Sequence, residues 1–263
     1  MAPQPGIFFL AAWGPQVGGG ASDTYTADLT GYVKVDSPGV PHCVANEWIA
    51  HEIARQLRLP VPPGSLVDAS TGPGGHRLGW VSLNFSPTAV RPAPADPTVV
   101  VGALPILAAQ IVVFDLLICN FDRHRGNLAY RPTSRRLDLF DHSHALLGIQ
   151  NDAGAHLRVV QDQFILNGIV GAGGRVNRHC LIDHLSSADQ LLSAADYVLQ
   201  RFSDCTLTDI CDEAEAMGLI TPGEHVALIT CLRRRWTNLR QMLYDNHTEF
   251  RSIAVADWGL PIP

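Results

Sequence analysis

Residues 119–148 read CNFDRHRGNLAYRPTSRRLDLFDHSHALLG, and the order of polar groups within them decides the fold. Asp122 and Asp141 each close a short apolar run, and Arg123, His124, Arg125 and Asn127 crowd in behind the first. A hairpin-like insert separates Asn127 from Asp141. Turns rich in Asp, Arg and Asn are common on surfaces. A second carboxylate that returns after a hairpin, at the end of an apolar run, is not something such a turn requires.

The wider composition limits what this stretch can serve. With 263 residues and 46% hydrophobic content, the chain can bury a sizeable core in one large domain or two lobes. A formal charge of −6 and a pI near 6.0 give no global attraction for nucleic acid or an anionic membrane. The compact basic patch, Arg233 to Arg235, reads as a solvated helix face, so neither a direct nucleic-acid partner nor a membrane partner is expected. Six cysteines without a CxxC pair fit reduced thiols in a cytoplasmic protein. The N-terminal GIFFLAAWG lacks the basic flank and cleavage site of a signal peptide. Residues 98–120 are apolar and long enough to span a bilayer. Asp115 near the middle of such a span costs about 2.5–3.5 kcal/mol, and the segment therefore reads as a core helix.

Of 19 basic side chains, only Lys34 is a lysine. Arginine serves wherever a cation needs only solvation, but it replaces a compact ammonium poorly, which marks Lys34 as a functional candidate. It sits in LTGYVKVDSPG, whose alternation predicts a strand. Before it lies a Gly18-Gly19-Gly20 run of the kind that lets backbone amides approach phosphate. After it, Ala45, Trp48, Ile49, Ile53 and Leu57 recur at helical intervals, predicting an amphipathic helix that ends before Pro60 and carries Glu47 in its first turn. VPPGSLVD and RLGWVSL read as further strands, and the proline-rich NFSPTAVRPAPADP as a connector. Beyond it the chain is mostly helical, with Thr221, Pro222 and Glu224 forming a helix-start pattern.

One chemistry uses these parts together. Phosphoryl transfer from ATP needs a cation on the phosphates, a base at the acceptor hydroxyl and oxygen ligands for magnesium. Kinase-like folds take these from a strand lysine, a loop aspartate with an amide five residues on, and an aspartate beyond a hairpin. Lys34, Asp122 with Asn127, and Asp141 stand in that order and spacing.

NFDRHRGN resembles the N-x-D-x-H-x-x-N catalytic loop of the HipA-like kinases, LFDHSHAL their metal-binding segment, and VANEWIAHEIARQLRLPVPPG their NE-containing helix. The similarity covers roughly residues 18–150. It implies an α+β, two-lobed protein-kinase-like fold: an N-terminal nucleotide-binding lobe with a small β-sheet and one helix (1–90), a connector (91–97) and a helical C-terminal lobe (98–263). It also implies ATP and Mg2+ as cofactors. Lys34 would meet the ATP phosphates with Glu47 as its partner, Asp122 would be the catalytic base, and Asn127 and Asp141 would bind magnesium. His124 and Asn120 would support the loop, Gly18, Gly19 and Gly20 would cradle phosphate, and Ser22 is the nearest candidate for autophosphorylation. The acceptor implied is a protein serine or threonine hydroxyl.

Longer HipA toxins carry an N-terminal subdomain, whereas about 17 residues precede the glycine run here, so an antitoxin partner is not carried over. Asp141 is followed by His-Ser, which gives no support to a protein-kinase-type activation segment. Three other readings stay open on sequence. One is a small-molecule kinase of the aminoglycoside-phosphotransferase type, although Asn120 stands where that loop usually has histidine. Another is a metal hydrolase using Asp122, His124, Asp141, His142 and His144. The third is a non-catalytic pseudokinase.

Overall fold

The computed structural model describes residues 10–17, 24–29, 31–72, 78–83, 93–166, 169–170 and 176–259. Strands β1 (Leu10–Val17) and β2 (Thr24–Leu29) form an antiparallel pair. Strands β3 (Gly31–Lys34), β4 (Gly64–Asp68) and β5 (Leu78–Leu83) form an antiparallel sheet in the order β3-β5-β4, whose register sets Lys34 opposite Trp80.

Helix α1 (Cys43–Gln56) lies between β3 and β4 in the chain. Asp36 Oδ1 accepts from the Val44 N–H at 2.9 Å, satisfying a donor that the first turn leaves open. Arg58 then takes a left-handed φ of 54° and turns the chain toward Pro60. The spacing predicts an amphipathic helix, but every residue from Cys43 to Ala54 except Glu52 is buried. The reason is tertiary: β5 and β4 cover part of α1, and α6 (Asp204–Ala216) covers another. Because the helix begins at Cys43, Glu47 falls in the second turn, beyond the four open N–H groups.

The apolar segment expected as one core helix is two: α2 (Pro97–Ala103) and α3 (Pro105–Leu117), bent by 117°. Pro105 has no N–H to give α2 and disfavours helical backbone at Leu104, whose φ and ψ are −137° and 56°. Among the described residues, no single helix is long and apolar enough to cross a membrane. Helix α3 runs through the interior against α5 (Ala188–Arg201) and α7 (Pro222–Asp245), while α4 (Ala153–Val160) and α6 pack on α7. The expected start of α7 is a reciprocal cap: Thr221 Oγ1 accepts from the Glu224 N–H and Glu224 Oε2 from the Thr221 N–H. A continuous apolar cluster runs from Val44 through α3 to Trp258.

The arginine patch is only partly a solvated face. Arg233 and Arg234 pair with Asp204 and Asp162 at the surface, but Arg235 is fully buried. Its guanidinium donates to Leu116 O at 2.8 and 2.5 Å, to Val160 O at 2.6 Å and to Gln163 O at 3.0 Å. Leu116 and Val160 lie in the last turns of α3 and α4, where their carbonyls also accept the N–H of Cys119 at 3.4 Å and of Gln163 at 3.0 Å, so Arg235 ties the two helix ends together as a second donor. Arg235→Met keeps the aliphatic stem but removes these charge-assisted bonds from three carbonyls, so it is expected to cost about 3 kcal/mol in urea unfolding. A loss under about 1 kcal/mol would contradict this role.

Candidate active site

The loop from Asn120 to Asn127 is built on a buried carboxylate. Asp115, inside α3, accepts from Arg123 Nε at 2.8 Å and Nη2 at 3.0 Å, from Asn120 Nδ2 at 2.7 Å, and faces His179 Nε2 at 3.0 Å. Burial alone would raise the Asp115 carboxyl, but Arg123 and His179 outweigh it and hold the group well below the usual carboxylate range. The expected hairpin follows as β6 (Leu128–Arg131) and β7 (Arg136–Leu139), with Leu128 paired to Leu139. That register brings Asn127 beside Phe140, whose N–H donates to Asn127 O at 3.2 Å. Arg123 Nη1 fixes the same junction by donating to Asn127 O at 3.1 Å and Phe140 O at 2.7 Å. The two ends of the hairpin, and with them Asn127 and Asp141, are thereby held at one place.

Within the loop, Asn120 Oδ1 accepts from the Asp122 N–H at 3.2 Å, and Asp122 O accepts from Asn127 Nδ2 at 3.0 Å and the His124 N–H at 2.8 Å. Asn120 thus ties the Asp122 backbone to Asp115 in α3. His124 is exposed, and its Nδ1 accepts from the Gly126 N–H at 3.0 Å, capping the single turn Arg125–Asn127. Asn127 is buried, and its Oδ1 accepts no hydrogen bond from the described residues. An unpartnered buried amide oxygen is costly unless something binds there, and it is a hard donor of the kind magnesium takes.

Lys34 links the sheet, α1 and the segment after the hairpin. Its Nζ lies 2.5 Å from Glu47 Oε1 and 2.6 Å from Asp141 Oδ1. Glu47 also accepts from the His142 N–H at 3.0 Å. Burial opposes charge on both Lys34 and Glu47, yet their mutual attraction and the bonds to Asp141 and His142 prevail: Lys34 is raised and Glu47 lowered. Asp141 is lowered against its burial by Lys34 and by Ser143 Oγ, which donates at 2.8 Å. Its φ of 64° is the left-handed conformation that aspartate tolerates better than most residues. A cavity of about 360 Å³ opens beside this triad, lined by Tyr32, Trp80, Val61, Leu139 and Phe140 among others. His51, one turn beyond Glu47, lines it too, and burial with nearby His142 and Arg55 pushes its imidazole down to about 4. The predicted Gly18, Gly19, Gly20 and Ser22 lie outside the described residues.

Asp115 and Asn46 carry no role in the sequence reading, and His144 enters it only as a ligand of the metal-hydrolase alternative. Asp115 enters it only as a charge inside an apolar run. Asn46 is fully buried and clasps the segment after Asp141: Nδ2 donates to Ser143 O at 2.9 Å and Gly148 O at 3.3 Å, and Oδ1 accepts from the Leu147 N–H at 3.0 Å. Gly148 has a φ of 71°, and a Cβ there would meet the His156 ring at 2.8 Å, so a larger residue would displace this clasp. His144 Nδ1 lies 3.5 Å from Asp122 Oδ2. The histidines expected for a metal hydrolase serve different partners, His142 on Glu47 and His144 on Asp122. Among the described residues, no group of three or more His, Cys, Asp or Glu side chains is arranged to hold a metal.

The depressed carboxyls make stability acid-sensitive. A carboxyl whose folded pKa is lowered contributes fully above its unfolded value, about 4, and loses that contribution as pH falls through the folded value. Glu47, Asp115 and Asp141 share this sign, while Asp138, raised by burial despite Arg136 and Arg131, has the opposite one. Unfolding free energy from urea titrations is expected to decline gently below about pH 6.5, where His51, held neutral in the fold, takes up a proton on unfolding, and to fall steeply below about pH 4.5. Undiminished stability at about pH 3 would contradict the assignment.

The mixed fold, with its small antiparallel sheet and seven α-helices among the described residues, is kinase-like. It is similar to the crystal structure of a Helicobacter pylori proinflammatory kinase, CtkA, with a TM-score of 0.54 and 17% identity over 81% of this chain and 90% of that chain. At that identity the likeness is one of fold alone. No family model matches the sequence, and no curated protein does.

Proposed function

We propose that the protein is an ATP- and magnesium-dependent phosphotransferase of the HipA-like kind. On this reading it has two lobes, 1–90 and 98–263, joined by residues 91–97. The observation that carries it is the buried, unpartnered Oδ1 of Asn127, held by the hairpin register beside the segment bearing Asp141. One amide oxygen and one carboxylate are a suitable protein share of a magnesium site that nucleotide phosphates and water complete. When bound, the ion would neutralise charge developing on the transferred phosphoryl group.

The chain's own groups divide the remaining work. Lys34 offers an ammonium to the phosphates, and Glu47, braced by the His142 N–H, holds it in place. The apolar walls of the adjoining cavity, at about 360 Å³, are of a size to take a nucleobase. Asp122, half-buried and fixed through its backbone, orients the acceptor hydroxyl and takes its proton as the new oxygen–phosphorus bond forms and ADP departs. The family resemblance favours a protein serine or threonine as acceptor, with a small-molecule hydroxyl as the alternative. Calorimetric titration with ATP, with and without magnesium, tests the site. Magnesium-dependent binding that Asn127→Ala weakens by about tenfold or more is expected. Binding indifferent to both the ion and Asn127 would refute the reading.

A further inference from the structure

We infer that His144 is a positioning residue for Asp122, holding Oδ2 of its carboxylate so that Oδ1 is left to meet the acceptor hydroxyl. The inference rests on the phosphotransfer reading above. The bonds that fix Asp122 all reach its backbone, from Asn120, His124 and Asn127, and none of them restrains the carboxylate. Among the described residues, the one basic side chain within 4 Å of it is His144, with Nδ1 at 3.5 Å from Oδ2. Both side chains are open enough for an acceptor to reach, at 24% and 32% exposure. His124, the histidine of the loop motif, is occupied with the Gly126 N–H and does not fill this role.

His144 is itself well held. The Ala145 N–H donates to His142 O at 2.9 Å, the Leu146 N–H to Ile118 O at 2.8 Å and the Leu147 N–H to Asn46. The ring lies 5.9 Å from that of Phe121, the residue before Asp122. The four residues from Asp141 to His144 thus address both halves of the site: Asp141 meets Lys34, His142 meets Glu47, Ser143 braces Asp141 and His144 meets Asp122. A shift of the segment carrying Asp141 is transmitted to the base through His144.

The test is magnesium-ATP turnover, to water or to the protein itself, by His144→Ala, His144→Asn and each combined with Asp122→Asn. His144→Ala is expected to lower kcat about tenfold with KM for ATP within about twofold, because the contact orients the base and not the nucleotide. Asparagine presents an amide N–H near the position of Nδ1, and His144→Asn should recover kcat to within about threefold of the parent. In the Asp122→Asn background, His144→Ala should change the residual rate by less than about twofold, since coupled residues lose their effect together. An unchanged kcat, an equal loss with asparagine, or an undiminished effect in the Asp122→Asn background would each overturn the inference while leaving the phosphotransfer reading intact. A parent protein with no turnover at all overturns that reading and this inference with it.

Discussion

Asp122→Asn is expected to lower magnesium-ATP turnover by about 10²–10⁴-fold while leaving nucleotide affinity within about twofold. The substitution keeps shape and removes the proton acceptor. The fold should not respond, because Asn120, Asn127 and His124 all bond to the backbone of residue 122 and none to its carboxylate. Loss of kcat without loss of binding is the signature of an interaction made at the transition state. Single-turnover rates and calorimetry on the same sample give the two numbers. Undiminished turnover would remove Asp122 from the role of base.

Lys34→Met is expected to reduce kcat/KM for ATP by about 10²–10³-fold, the usual consequence of deleting a preorganised charge at a reacting phosphoryl group. The ammonium lies between Glu47 and Asp141, so its removal acts twice. The phosphates lose their cation, and Glu47, buried beside a second carboxylate, keeps only His142, through its N–H and its ring, and becomes easier to protonate. Lys34→Arg should not restore the rate, because a planar fork cannot occupy the place of a compact ammonium set between two carboxylates. A rate within about threefold of the parent for either variant would dismiss the argument from the lone lysine.

The parts of this site legible in the sequence are those that local spacing encodes. The hairpin between Asn127 and Asp141, the lysine strand and the cap at Thr221 all follow from neighbours within a few residues. Asn46 shows the limit: its three bonds reach about a hundred residues along the chain, and no periodicity reports them. Helix α1 reads as amphipathic because two of its polar side chains, Asn46 and Glu47, interrupt the apolar pattern, yet both are buried and satisfied by distant partners. Arg235 is hidden in the same way, since it looks identical to Arg233 and Arg234 until the ends of α3 and α4 are set against it. Two signals were present without long-range knowledge. A carboxylate inside an apolar run, such as Asp115, must be paired, and Arg123 stands only eight residues away. Pro105 forecasts the break between α2 and α3 on backbone chemistry alone.

The most direct test of the central claim is transfer of radiolabel from ATP carrying a labelled γ-phosphate, with magnesium, using the full chain and its Asp122→Asn variant side by side. The account predicts acid-stable label on a hydroxyl-bearing acceptor, the protein itself or an added one, or release as inorganic phosphate, with the signal lost in Asp122→Asn. Neither transfer nor hydrolysis by the parent, or equal signal from both proteins, would contradict it.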